Sequence, residues 1–242
     1  MPNDTALSFS TATDTVLHSW LDRVKANVGA LVGAAVVWLA ATFAGVFAIL
    51  FVPWLVAGPG IAILGSVYGD SEPPAWALLG VIVPSGLLYL AAFGVVLLGF
   101  VPAMQGSLHR AFDAAGRGEP IPWSAPVASL RTNLGPVMRT NAAVVGLTLV
   151  GSLFFILPGM LVGLVTLFAI PAAALDGLGA RDAIGRAMGH ARENPGFHGG
   201  VILGYFIIAL ACGFIPLLGS GLGAVLSLGW ICACYRHCFP AD

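Results

Sequence analysis

Charge is what this sequence has least of: 9% of its 242 residues are Asp, Glu, Lys or Arg, against about 25% in a soluble domain. Because 58% of the residues are hydrophobic, the balance excludes an ordinary soluble globule and predicts a polytopic membrane protein. Ten cations against eleven anions give a formal net charge of −1. No global field therefore recruits nucleic acid, and no nucleic-acid partner is expected.

Other absences narrow the chemistry. There is no GKS/T phosphate loop, no HExxH helix and no nucleophile elbow, and GLGAR at 177–181 lacks the strand that a dinucleotide site needs. Neither an enzymatic activity nor a cofactor is expected. No ionisable residue falls in the middle of an apolar run, where it would cost about 2.5–3.5 kcal/mol on insertion scales, which argues against a carboxylate-driven proton or cation antiporter. His18, His109, His190, His198 and His237 map to the cytoplasmic ends of apolar runs, so no pair is placed to sandwich a haem in mid-bilayer. The N-terminus MPNDTALSFSTATD has no basic n-region and no apolar core before residue 28. Residues 1–13 thus read as a mobile polar tail, not a cleavable signal peptide.

What is present is long apolar sequence. A helix needs about 20 apolar residues to cross about 30 Å of hydrocarbon, and lipid leaves helices or closed barrels as the only spanning structures. The runs predict an all-α bundle of six spans near 28–52, 75–103, 136–157, 159–175, 197–214 and 217–237, in one transmembrane domain over 14–242. One apolar stretch remains, WLVAGPGIAILGSVYG at 54–69. Gly58-Pro59-Gly60 interrupts it, so a re-entrant or interfacial half-helix is expected there, not a seventh crossing. With six crossings all ten Lys and Arg fall on one face, while GDSEPPA, LPG and IPLLG on the other carry none. Cations in short loops remain cytoplasmic, so both termini are expected in the cytoplasm.

Three pentapeptides stand at the start of apolar runs: KANVG from Lys25, RTNLG from Arg131 and RENPG from Arg192. Their Asn27, Asn133 and Asn194 suit turn geometry, and Gly29, Gly135 and Gly196 are expected to relieve crowding where the chain bends into the membrane. Each first helix closes on Phe and Pro, at Phe51/Pro53, Phe155/Pro158 and Phe214/Pro216. Pro102-Ala103 and Pro171-Ala172 precede DAAGR (113–117) and DAIGR (182–186) by the same distance. The pattern predicts three tandem units, about 14–112, 113–181 and 182–242, each an interfacial helix followed by a hairpin.

Two cytoplasmic segments are amphipathic. Val16, Leu17, Trp20, Leu21 and Val24 form one face, and Ile184, Ala187, Met188 and Ala191 another. These helices either lie on the inner leaflet or cover the bundle ends as ordinary packing. Lys25, Arg117, Arg131, Arg186 and Arg192 are the candidate contacts to anionic lipid headgroups; the alternative is local pairing with Asp113, Asp182 and Glu193. Cys234, His237 and Cys238 in CACYRHC are candidate soft metal ligands; their other reading is small buried hydrophobes beside a snorkelling His. Alongside 32 glycines, small residues recur four apart at Gly29/Gly33, Ala142/Gly146, Gly159/Gly163, Gly200/Gly204 and Gly219/Gly223, which suits close helix packing or an oligomer seam. Mid-span polar groups such as Ser85, Thr166, Tyr205 and Ser227 either line a path or bond to the preceding turn.

HRAFDAAGRGEP, 109–120, resembles the R-x-F-x-A-A-x-R-G-E loop of bacterial membrane proteins of the YciC-like kind and of the membrane domain fused to some glycerophosphodiester phosphodiesterases. RDAIGRAMGHAREN, 181–194, is similar to their E-A-L-x-R-S-W-x-x-x-x-x-N segment, matching at Ala183, Arg186 and Asn194, with Asp182, Ile184, Ala187 and Met188 departing from it. The resemblance implies a six-helix, repeat-built domain of the bacterial cytoplasmic membrane. It carries no phosphodiesterase activity across, since that domain is missing from the sequence. Two functions remain: a non-catalytic scaffold or accessory subunit that binds lipids and partner helices, as a homo-oligomer or within a larger complex, or a channel or carrier for a small neutral or hydrophobic solute.

Overall fold

A computed structural model describes residues 9–69, 71–128, 134–216 and 218–241. Along the chain run α1 (Phe9–Ala26), α2 (Val28–Tyr68), α3 (Ala75–Gly94), a π-helical stretch Val95–Phe100, α4 (Val101–Gly116), α5 (Ala125–Ala128), α6 (Leu134–Phe154), α7 (Ile156–Val165), α8 (Ala169–Leu175), α9 (Ala180–Glu193), α10 (Pro195–Gly213) and α11 (Gly219–Cys238). No strand occurs among the described residues. Four helical segments, Val28–Tyr68, Ala75–Gly116, Ile156–Leu175 and Pro195–Gly213, are long and apolar enough to cross a bilayer. The protein is an all-helical membrane protein.

The half-helix expected at 54–69 does not form as a separate element, because α2 continues through Pro53 and Pro59 as one helix of 41 residues. Each proline removes one intrahelical donor, but in apolar surroundings the freed carbonyls find no better partner outside the helix, and continuing it satisfies the rest. Gly60 serves packing: a Cβ there would stand 2.7 Å from Val81 Cγ2, as one at Gly45 would stand 3.1 Å from Val96 Cγ1. The two pairs share one antiparallel register between α2 and the α3/π stretch. At 1.5 Å per residue, the 41- and 42-residue runs are each about 60 Å long, twice the roughly 30 Å of hydrocarbon.

The chain divides into two compact units, Ala40–Val101 and the remainder, where a single domain over 14–242 was expected. The distal hairpin forms its own unit because it consists of little more than two helices. Along it, Phe43, Phe47, Trp54, Trp76, Ile82 and Leu90 are all exposed, and Phe47, Phe51 and Trp54 stack along α2 with centroids 4.9 and 6.2 Å apart.

In the other unit α11 is the axis. Residues Gly219 to Tyr235 supply most of its buried positions, and its glycines are notches for neighbours. A Cβ on Gly221 would lie 2.7 Å from the Ala35 carbonyl oxygen of α2, and one on Gly229 would strike the buried Phe112 ring of α4. From α10, Gly204 makes room for Trp230, whose Nε1 donates to the Val201 carbonyl at 3.0 Å. Trp20 of α1 meets Trp230 edge to face at 5.9 Å.

That last contact bears on the two readings of the amphipathic helices. Val16 and Trp20 of α1 and Ala183 and Ala187 of α9 are buried in one core cluster with Trp230 and Tyr235. Much of each apolar face is taken by protein, as the reading in which they cover the bundle requires, while Leu17 and Met188 on the same faces stay exposed. Helix α1 also begins at Phe9, inside the stretch expected to be a tail, because extending a helix already nucleated by packed residues is cheap.

The bends fall where the asparagines predict them, at the two that are described. Asn27 separates α1 from α2, its Nδ2 donating to the Arg23 carbonyl (2.9 Å) and its Oδ1 accepting from the Ile121 N–H (3.0 Å). Asn194, at φ −128° and ψ 59°, separates α9 from α10. Arg131 and Asn133 lie outside the described residues. The glycines do not play the role expected of them: a Cβ at Gly29 or Gly196 meets nothing within 4 Å, and one at Gly135 meets only Arg139 Nη2, at 3.9 Å. Crowding at the bend is absent because the asparagine alone breaks the helix. Between α7 and α8, Thr166–Phe168 form a turn within the expected fourth span; there the Thr166 hydroxyl donates to the Val162 carbonyl at 2.7 Å.

Candidate functional site

The scarce charges converge at one end of the larger unit. Asp113 sits on the last turn of α4 and Arg117 just after it, Asp176 follows α8, Arg186 is on α9, and Tyr235 and Arg236 lie near the end of α11, where the helix dipole favours a cation. Arg236 bridges two carboxylates, its Nε donating to Asp113 Oδ1 at 2.7 Å and its Nη1 to Asp176 Oδ1 at 2.8 Å. Asp176 Oδ2 accepts from Arg186 and from the Tyr235 hydroxyl at 2.5 Å, and Arg186 also donates to that hydroxyl at 3.0 Å. Arg117 pairs with Asp113 Oδ2 at 2.6 Å and reaches Glu119 at 3.4 Å. Arg186 lies over the Phe239 ring, 5.2 Å from its centroid.

An open cleft of about 740 Å³ lies over this network, lined by Asp176, Arg186, Arg236, Cys238 and Phe239 among others. Three arginines face three carboxylates, so the cluster neutralises itself, and its guanidinium donors are spent on protein. Side chains only 15–20% exposed at Arg236, Asp113 and Asp176 hold those pairs largely out of water, whereas Arg117 is 57% exposed. What the arrangement does is tie α4, α8, α9 and α11 together.

Of the five cations expected at headgroups, Arg117 and Arg186 are thus joined into one network. Lys25 and Arg192 are exposed and carry no ion pair among the described residues. The local partners expected for Arg186 were Asp182 and Glu193. It takes Asp176 and Tyr235 instead, because both lie toward the core from α9 whereas Asp182 is exposed.

Cys234, His237 and Cys238 do not converge. Cys234 is buried in the core, His237 stacks on Phe197 at 5.8 Å, and Cys238 Sγ lies 3.6 Å from His190 Nε2. Adjacent positions on a helix point 100° apart, which separates His237 from the cysteines. No cluster of three or more His, Cys, Asp or Glu suited to a metal occurs among the described residues.

His190 is packed against the rings of Phe168, Phe197 and Phe239 at 5.4–5.9 Å and His198 at 6.1 Å. Burial first, and then neighbouring His198, hold its imidazole below the usual range, against a smaller opposing pull from Glu193. The unfolded chain therefore binds this proton more readily. Its contribution to stability is complete above the unfolded value of about 6.5 and is lost as pH falls below it. Thermal unfolding in detergent at pH 7.5 and 5.0 should show an acid-induced loss that His190→Phe reduces; an unchanged difference would assign it to other groups.

Asp176, Tyr235 and Arg236 were not singled out from the sequence. The available signal was rarity: a buried charge in so apolar a chain needs a partner. His109 is likewise more interior than its place at the end of an apolar run implied, with 1% of its surface exposed. No protein-family model matches this chain, and no curated protein or solved structure matches it.

Proposed function

We propose that this protein is a non-catalytic integral membrane scaffold or accessory subunit, acting through the lipids and helices that cover it. The observation carrying this reading is the hairpin over Ala40–Val101. Its helices leave large apolar side chains uncovered on every turn, over about 40 Å each between Ala40 and Val101 at 1.5 Å per residue, more than the roughly 30 Å of one bilayer crossing. Soluble monomers do not leave contiguous apolar surface of that extent uncovered, and the hydrocarbon of a bilayer covers about 30 Å of its length. Partner spans, from a second copy or another subunit, are the fitting cover.

The same reading takes six spans in three repeat units, with α6 and α11, of 21 and 20 residues, as the remaining two crossings. The one-sided cations favour cytoplasmic termini, and the resemblance of 109–120 and 181–194 favours a bacterial cytoplasmic membrane. Lys25 and Arg192, exposed and without an ion pair among the described residues, are the best candidates for anionic headgroups. A water-filled channel has less support. Ser85 and Thr166, two of the mid-span polar residues, spend their hydroxyls on carbonyls of the preceding turn at 2.7 Å.

Native mass spectrometry of the detergent-extracted protein tests both parts. The expected result is a mass of at least two chains, carrying anionic lipid that the Lys25→Gln/Arg192→Gln variant loses in large part. A monomer with unchanged lipid would contradict the proposal.

A further inference from the structure

Inside the larger unit lies a cavity of about 290 Å³ to which α2, α4, α6, α7, α8, α10 and α11 all contribute, together with the Thr166–Leu167 turn. From Thr166 and Tyr205 it is placed near the middle of Ile156–Leu175 and of Pro195–Gly213. Its lining contains no Asp, Glu, Lys or Arg. A charged guest would lose its hydration and find no counter-charge, so an occupant must be neutral.

The polar side chains of the lining are few, Gln105, His109, Thr166 and Tyr205, and the Thr166 hydroxyl is spent on the Val162 carbonyl. His109 Nδ1 is buried and has no hydrogen-bond partner, and the half-buried Gln105 and Tyr205 share the lining with it. Polar side chains rarely stay buried unpaired. Around them stand Trp38, Leu167, Ile170 and Leu228, apolar walls that water alone would wet poorly. This is the constitution of a ligand pocket: a largely apolar enclosure with a few convergent polar atoms.

From this convergence we infer that the cavity binds the uncharged head of a small membrane amphiphile of the monoacylglycerol class. The hydroxyls and ester carbonyl of that head offer acceptors to Tyr205 and Gln105 and a donor or acceptor to His109. The first carbons of its chain lie against Trp38 and Leu228. Its arrival from the bilayer fits a mid-membrane position. The inference goes beyond the scaffold reading and does not depend on it, since the partner surface is the separate unit Ala40–Val101.

The test uses the full chain in detergent micelles, with 9,10-dibrominated monooleoylglycerol as the probe and tryptophan emission as the readout. Saturable quenching is expected, with most of its amplitude lost in Trp38→Phe. Tyr205→Phe and Gln105→Leu should each weaken binding about tenfold, the equivalent of one hydrogen bond. Gly163→Leu should abolish the saturable phase, because Gly163 lines the cavity and a Cβ there meets nothing within 4 Å. That variant can fill the space without a clash, and its melting temperature reports whether it folds. Unlabelled monooleoylglycerol should compete, and neither glycerol nor oleate should. Quenching that is linear, or equal in wild type and in both Tyr205→Phe and Gly163→Leu, would overturn the inference. Competition by glycerol alone would overturn its assignment to a lipid.

Discussion

Replacing Gly221 by alanine should destabilise the protein by about 2 kcal/mol, although alanine is the better helix former by about 1 kcal/mol. The added Cβ would stand 2.7 Å from the Ala35 carbonyl oxygen and 2.7 Å from Leu39 Cγ. A backbone oxygen cannot swing aside, so α11 must move away from α2 and loosen the cluster of Leu31, Ala34, Ala35 and Val225. The internal control is Gly146→Ala in α6, where a Cβ meets nothing within 4 Å. That change should instead add roughly 0.5–1 kcal/mol. Reversible unfolding in mixed detergent micelles measures both; an unaffected Gly221→Ala protein would mean that α2 and α11 do not touch at this level.

Arg236→Met should be the most damaging single change at the polar end, costing about 3 kcal/mol or more. It leaves Asp113 and Asp176 each without a partner that now sits at 2.7–2.8 Å. Neither carboxylate is exposed enough to recover its hydration. Arg117→Gln, at a side chain 57% exposed, should cost below about 1 kcal/mol, as exposed pairs do. Adding Asp113→Asn and Asp176→Asn to Arg236→Met should restore part of the lost stability, since the excess negative charge left beside Arg117 and Arg186 is then gone. No recovery in the triple variant would show that the guanidinium acts by packing and not by pairing.

The contrast between those two arginines shows what could be read from the sequence. Apolar runs of span length forecast α2, α10 and the Ile156–Leu175 segment, since hydrocarbon leaves helix as the satisfied conformation of such a run. Asn27 and Asn194 marked real helix junctions, because a residue that bonds its own neighbouring backbone competes with the helix locally. Pro53 and Pro59 misled for the complementary reason: proline's local effect is read easily, but whether a helix survives it depends on what else could satisfy its carbonyls. The faces of α1 and α9 were legible as amphipathic, while their partner was not. Trp20 against Trp230 spans 210 positions, and periodicity carries no information about contacts at that separation. Arg186 with Asp176 is the same kind of case. Opposite charges in the same motif suggested Asp182, and the tertiary approach of α8 and α11 decided for Asp176. The cavity was least legible of all, because Gln105 and His109 come from one helix and Tyr205 from another about 100 positions away, and no motif joins the three.

The proposed six-span membrane topology, argued from the one-sided cations, puts position 117 in the cytoplasm and position 72 outside. Single cysteines at Glu72 and Arg117, in a protein whose Cys212, Cys232, Cys234 and Cys238 are replaced by alanine, test it with a membrane-impermeant maleimide on intact cells. The account predicts labelling at position 72 from outside and at position 117 only after the membrane is opened. Labelling of both from the same face would contradict it.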